Sequence, residues 1–331
     1  MRRLLLLLVA FSVIAVAQEP KVFRIQPVRP VEQLRKEALA AQPPIQVGDF
    51  YTPELVELVK LDPTIKLDIR YATKNNFLST PMYDEGRAFM QKPAAEAVVR
   101  ANKKLHELGY GLLIHDAYRP WYVTKMFWDA TPADKHQYVA DPAQGSHHNQ
   151  GCAVDLTLYD LKTGQAVEMP SLYDEMSERA HANYTGGTEQ QTHLRELLRN
   201  AMEAEGFKVY EFEWWHFDYK DWKHYPVMNL EFDQVPDPSL HDSAIKPRAI
   251  SAPDPEYSEE ARKKKLSGDG AAWVFVGQDG RVKEAIVKQS IGGGLDEKMV
   301  EALRNWKFKP AMYENKPIPY MVVVTVSFRL K

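Results

Sequence analysis

The sequence predicts an α+β protein in two domains, and three observations carry this. The chain has 331 residues, roughly two domains at about 150 residues each. Helical and alternating hydrophobic patterns follow one another along it, so helices and strands are both expected. Between residues 234 and 255 fall Pro236, Pro238, Pro247, Pro253 and Pro255, a density that suits a connector. Hydrophobic residues make up 44% and charged residues 26%, ordinary for a soluble globular protein. A net charge of -3 gives no field that argues for nucleic acid or an acidic membrane surface. A single cysteine, Cys152, excludes an intramolecular disulfide framework and any multi-cysteine metal site. Ten histidines leave a metal site built from His, Asp and Glu open.

The first segment reads as an export signal. Met1-Arg2-Arg3 precedes an apolar run over 4–17 that ends Ala15-Val16-Ala17. A basic start, a short apolar run and small residues before Gln18 fit a cleaved secretory signal at 1–17. The run falls short of the roughly 20 residues of a spanning helix, so no membrane span is expected in the mature chain. Residues 18–47 are rich in Pro, Gln and Lys and read as a linker with one short helix at 31–41.

A first folded domain is expected over 48–235. Residues 95–108 carry Val98, Val99 and Leu105 on one helical side, with Gly109 as the stop. Residues 111–115 form a short apolar strand candidate. Along 152–159, Cys152, Val154, Leu156 and Leu158 alternate with Ala153, Asp155, Thr157 and Tyr159, the pattern of a strand. Cys152 falls on the apolar face and reads as a small core residue. Leu194, Leu197, Leu198, Ala201 and Met202 follow the amphipathic helix rule, with Thr188 and Gln191 as a capping box and Gly206 as the C-cap. Residues 207–217 read as one aromatic strand.

After a linker at 236–250, a small domain is expected over 251–331. Residues 255–266 form a short charged helix. Strands at 271–276 and 282–289 flank Asp279-Gly280, a hairpin signal. A helix at 295–305 and a long strand at 318–330 complete it. This part is net positive and the remainder net negative; opposite signs would favour docking of the two domains, and ordinary surface variation also accounts for them.

Two segments hold the informative histidines: Ser146-His147-His148-Asn149-Gln150-Gly151-Cys152-Ala153-Val154-Asp155 and Glu211-Phe212-Glu213-Trp214-Trp215-His216-Phe217. A catalytic zinc needs about three ligands from neutral His and carboxylate, with one position open. His148, Asp155 and His216 would supply two nitrogens and one oxygen. Glu213, three residues before a ligand, is placed to carry a proton from the attacking water to the leaving amine. In a flat strand Glu213 and His216 point to opposite faces, so both reach one ion only if the chain turns or bulges near Trp214-Trp215. Taken singly, each residue also fits a loop histidine, a surface strand carboxylate or the polar edge of an aromatic strand. In Asp116-Ala117-Tyr118-Arg119-Pro120, Arg119 either stabilises a developing oxyanion or bridges to Asp116. His106-Glu107 begins like the helical zinc-protease motif, but position 110 is Tyr, so the second histidine is missing.

Taken together, the segments resemble the zinc D-alanyl-D-alanine dipeptidases of the VanX type, relatives of D,D-peptidases that share a fold with the hedgehog signalling domain. The resemblance runs in order over about 67–225. It takes in Arg70-Tyr71-Ala72-Thr73 with Asn76-Phe77, Asp116 to Pro120, Ser146 to Tyr159, Tyr173-Asp174-Glu175-Met176 with Glu178-Arg179, and Glu213 to His216. It implies a hedgehog-like zinc domain around a central antiparallel sheet. One zinc ion would be held by His148, Asp155 and His216, with Glu213 as the base and Arg119 stabilising the transition state. Tyr71, Ser146 and Asp174 would line a small dipeptide pocket, with Asp174 pairing the substrate ammonium. Two alternatives stay open: a D,D-carboxypeptidase acting on peptidoglycan stems, and a zinc-stabilised binding module without turnover. Residues 251–331 resemble a TonB C-terminal domain, through Pro255-Glu256-Tyr257, Ala261-Arg262, Asp279-Gly280-Arg281-Val282, Ser290, Gly292, Leu295-Asp296 and Trp306-Lys307-Phe308-Lys309-Pro310-Ala311. That implies a docking role with an envelope protein as partner, while the export signal at 1–17 implies an exported, periplasmic location.

Overall fold

The computed structural model describes residues 22–330; the export signal expected at 1–17 lies outside them. The helices used below are α1 (Val31–Ala40), α2 (Lys92–Glu107), α3 (Trp121–Ala130), α4 (Glu189–Glu203), α5 (Glu259–Lys264) and α6 (Leu295–Arg304). The strands are β1 (Lys66–Leu67), β2 (Tyr110–Asp116), β3 (Ala153–Asp160), β4 (Phe207–Tyr210), β5 (Glu213–Tyr219), β6 (Gly268–Val276), β7 (Val282–Gln289) and β8 (Tyr320–Phe328). No helix among the described residues is long and apolar enough to cross a membrane.

The large domain is built on a five-stranded sheet in the order β1-β2-β3-β5-β4. It is antiparallel except for the short edge strand β1, which pairs parallel to β2. Central β3 is buried on both faces, so Asp155 and Thr157 are enclosed along with Val154, Leu156 and Leu158. Helix α2 carries Ala94, Val98, Ala101 and Leu105 inward, and the chain leaves it through Gly109 at φ 88°, a conformation suited to glycine. His106 is in the last turn of this helix and Glu107 ends it. Helix α4 starts with the Thr188–Gln191 capping box, but its C-cap is Ala204; Gly206 follows at φ 89°.

Two expectations change. The segment at 18–47 is more than a linker. Leu34 and Ala38 of α1 are fully buried, Ile25 N–H donates to Phe77 O at 3.0 Å, and Gln46 Oε1 accepts from Val227 N–H at 3.0 Å. The i, i+4 apolar pair gives α1 a face to bury, and composition alone hid it. The aromatic segment 207–217 is two strands, β4 and β5, paired antiparallel around a turn at Glu211-Phe212.

The C-terminal domain is a three-stranded antiparallel sheet, ordered β7-β6-β8. Ala272, Val274 and Val276 of β6 pack with Leu295, Met299, Val300 and Leu303 of α6. The opposite face of β6 carries Trp273 and Phe275, which join the core of the large domain. The ion pairs of residues 246–331, among those described, all fall within that segment, so opposite net charges do not make the interface.

Candidate metal centre and active site

His148 sits in the turn between Ser146 and Gly151. Ser146 Oγ accepts the His148 N–H at 3.1 Å, and Asn149 Oδ1 accepts the Ser146 N–H at 2.8 Å. Gly151 has φ 69°, and a Cβ there would meet Leu55 at 2.6 Å, so the turn requires glycine. The His148 ring is oriented by Nδ1–H donating to Ala117 O at 2.7 Å, which leaves Nε2 as the free lone pair.

His216 and Glu213 lie on β5, an odd number of residues apart. β5 carries extra residues against β4: Val209 faces Phe217, but its neighbour Tyr210 faces Glu213. That bulge spans Trp214-Trp215 and turns both polar side chains to one side. Both tryptophans are buried, which holds the distortion in place. Asp155 is paired with His216 across β3 and β5. Nε2–H of His216 donates to Asp218 Oδ1 at 2.8 Å, so Nδ1 is the free nitrogen.

The three free donors converge. His148 Nε2 to His216 Nδ1 is 3.1 Å, His216 Nδ1 to Asp155 Oδ1 is 3.0 Å, and His148 Nε2 to Asp155 Oδ1 is 3.3 Å. A tetrahedral ion about 2.0–2.1 Å from each ligand spaces its donors roughly 3.3–3.4 Å apart. The triangle therefore fits a zinc-sized ion with little adjustment, and the two-nitrogen, one-oxygen set suits zinc. Electrostatics favour a cation here. Burial pulls the His216 pKa down, but Asp218 and Asp155 outweigh it and raise it well above the ordinary histidine value. Burial alone would raise Asp155, yet the two histidines hold its carboxyl well below the usual range.

Glu213 Oε2 lies 3.8 Å from His216 Nδ1. Burial pushes its carboxyl up to about 7, with His216 opposing and Asp155 reinforcing the shift. Arg119 is buried beside the donors. Its guanidinium makes a two-armed pair with Asp116 Oδ2, from Nε at 2.9 Å and Nη2 at 2.8 Å, and lies 3.7 Å from Asp155 Oδ2. Phe127 and Tyr71 flank it at 4.8 and 5.3 Å. The bridge to Asp116 and a place facing the metal site thus coexist.

Tyr71, Ser146 and Asp174 all line the same cavity of about 220 Å³, below the roughly 300–1,000 Å³ of sites for drug-sized ligands. Tyr71 Oη donates to Asp174 Oδ1 at 2.7 Å, and Asp174 Oδ2 is buried without a partner. Asp174 is held at φ 62°, a costly conformation for a non-glycine residue. Burial raises its pKa well above the usual value, and Asp155 and Glu213 add to the shift against the Tyr71 hydrogen bond.

Sequence reasoning assigned no role to three further residues. Tyr173 Oη donates to Asp155 Oδ2 at 2.9 Å, fixing the carboxylate so that Oδ1 faces the histidines. Asp218 binds His216 as above and also accepts from His147 Nδ1 at 2.7 Å, with His147 stacked on Trp222 at 3.8 Å. The signal for Asp218 was its two-residue spacing from His216 along a strand.

Comparison with known proteins shows the family. The profile described as D-ala-D-ala dipeptidase matches residues 51–236. The chain belongs to this family of metallopeptidases. It is 35% identical over 181 residues to an Escherichia coli D-alanyl-D-alanine dipeptidase, covering 55% of this chain and 92% of that protein. A D-alanyl-D-alanine dipeptidase of Enterococcus faecalis is 37% identical over 186 residues, covering 51% of this chain and 92% of that protein. Residues 253–330 match the Gram-negative bacterial TonB protein C-terminal family. Vibrio cholerae Protein TonB is 27% identical over 88 residues, covering 26% of this chain and 36% of that protein.

Proposed function

We propose that the chain is a zinc-dependent dipeptidase that hydrolyses D-alanyl-D-alanine in the cell envelope, in peptidoglycan turnover or recycling. The observation that carries the reading is the donor triangle of His148, Asp155 and His216, with Glu213 and Arg119 beside it. A bound zinc ion would serve as a Lewis acid and lower the pKa of water.

The protein's own groups do the rest. Glu213, poised near neutrality by burial, takes a proton from the attacking water and delivers it to the leaving amine. Arg119, held by Asp116 and flanked by two rings, stabilises the oxyanion that forms at the scissile carbonyl. Asp174 pairs with the substrate ammonium; its unpartnered Oδ2 and raised pKa are what a site awaiting a cation has. Tyr71 orients Asp174, and Ser146 shapes the turn that carries His148 while lining the pocket. The small cavity suits a free dipeptide recognised at both charged ends. An export signal at 1–17 and the TonB-like domain support a periplasmic location, with an envelope protein as a further partner. The domain limits 48–235 and 251–331, with a connector at 236–250, form part of this reading.

The test is a dipeptide panel varied in chirality at both positions, with metal content measured on the same sample. Hydrolysis confined to the D,D dipeptide and proportional to bound zinc is expected. Preference for a pentapeptide stem would make the enzyme a carboxypeptidase instead.

A further inference from the structure

The C-terminal sheet turns one face to the large domain. Ile286 of β7 joins the large core with Trp273 and Phe275, while Ala285 and Val287 pack with α6. Glu284, two residues from Ile286 on the same strand, shares that face and is 5% exposed. Its carboxylate accepts the Asn229 N–H at 2.6 Å.

Asn229 belongs to an irregular strap over 226–231 that is tied to the active site along its length. Met228 N–H donates to Asn149 O at 3.0 Å, and Met228 O accepts the Trp121 N–H at 3.1 Å. Asn229 Oδ1 accepts the Tyr122 N–H at 2.8 Å, and Leu230 N–H donates to Tyr118 Oη at 2.8 Å. Asn149, which follows His148, donates from Nδ2 to Arg119 O at 2.8 Å. The strap thus grips Tyr118, Trp121 and Tyr122, the residues on both sides of Arg119. Arg119 has little freedom of its own, because its side chain must serve Asp116 and face Asp155 together. A small shift of this corner moves the guanidinium off the reacting carbonyl.

We infer that Glu284 is a positioning residue for Arg119, so that the docked C-terminal domain sets the turnover of the catalytic domain through the strap at 226–231. The inference rests on the oxyanion role proposed for Arg119. Loss of the Glu284 carboxylate leaves the half-buried Asn229 N–H without its protein acceptor and loosens the strap. A glutamine keeps an acceptor oxygen of the same reach.

The experiment uses the full chain loaded with zinc. Glu284→Ala and Glu284→Gln are made alone and in an Arg119→Ala background. Hydrolysis of D-alanyl-D-alanine gives kcat and KM, and hydrogen exchange follows the amides of Tyr118, Arg119, Trp121 and Tyr122 within 118–122. Glu284→Ala should lower kcat about 10-fold with KM within about twofold, inside the ~10²-fold that a 1 Å misplacement can cost. Glu284→Gln should keep the wild-type rate. In the Arg119→Ala background Glu284→Ala should cost nothing more, although it loosens the amides of 118–122 in both. Asn229→Ala keeps the N–H to Glu284 but removes the Oδ1 acceptor for the Tyr122 N–H, so it breaks the same line at its active-site end without altering the C-terminal domain. It should lower kcat similarly, and carries the test of the strap if Glu284→Ala does not fold. An equal kcat loss with and without Arg119, or wild-type kcat and exchange in folded Glu284→Ala, overturns the inference. If the wild type does not hydrolyse the dipeptide, the functional reading falls. Exchange then decides the coupling alone: faster exchange at 118–122 supports it and unchanged exchange overturns it.

Discussion

The two sheets of this protein bury charge in different ways. In the large domain Asp155, His148, His216, Glu213, Asp116 and Arg119 crowd one end of the sheet, each within reach of an opposite partner. In the small domain the buried acid Glu284 faces the neighbouring domain and is met by one backbone N–H. The first arrangement is a network whose members shift each other's proton affinities, as catalytic sites do. The second is an anchor. Burial pushes Glu284 up to about 7, with the Asn229 hydrogen bond opposing. Buried charge therefore marks chemistry where the groups converge on a cavity, and marks docking where one group meets a strap.

The sharpest way to break this contrast is to alter members of each set in turn, starting with the active site. Glu213→Ala should lower kcat by about 10²–10⁴-fold, the usual weight of a general base, with zinc content unchanged by metal analysis. Arg119→Lys keeps the charge but loses the two-armed grip on Asp116. It should cost about 10²–10³-fold in kcat, comparable to loss of one oxyanion donor, in steady-state assays. Asp218→Asn leaves all three donors in place but weakens the acceptor for His216. It should weaken zinc binding by about 10–100-fold, read by competition with a chelator.

The smallest effect is on stability. The Glu284 carboxyl titrates near 7 when folded and near 4.5 when unfolded. The folded state then holds the extra proton, so this group's contribution is present at low pH and is lost as pH rises through about 7. Glu284→Gln removes that titration. Its melting temperature should gain on the wild type between pH 5 and pH 8, and an unchanged gap would remove Glu284 from the anchor role.

Much of the site was legible because its residues fall in two short segments. The need for a bulge at Trp214-Trp215 followed from the odd spacing of Glu213 and His216, although only the pairing of β4 with β5 shows how it is made. Asp218 obeyed the strand period but is one acidic residue among many. Tyr173 depends on a loop folding back onto β3, which no local pattern announces. The docking face was hidden for another reason. The run Ala271-Ala272-Trp273-Val274-Phe275-Val276 signals a strand buried on both sides, but not which partner covers each side. Glu284 there reads as an ordinary hairpin carboxylate. The packing of α1 was missed because proline content outweighed a short apolar stripe.

The central claim is that His148, Asp155 and His216 hold a zinc ion beside Glu213 and that this centre cleaves D-alanyl-D-alanine. The most direct measurement is hydrolysis of that dipeptide alongside zinc content, for the wild type, His216→Ala and Glu213→Ala prepared identically. The account predicts one zinc and full activity in the wild type, loss of both in His216→Ala, and zinc without activity in Glu213→Ala. Full activity in Glu213→Ala, or zinc and activity both retained in His216→Ala, would contradict it.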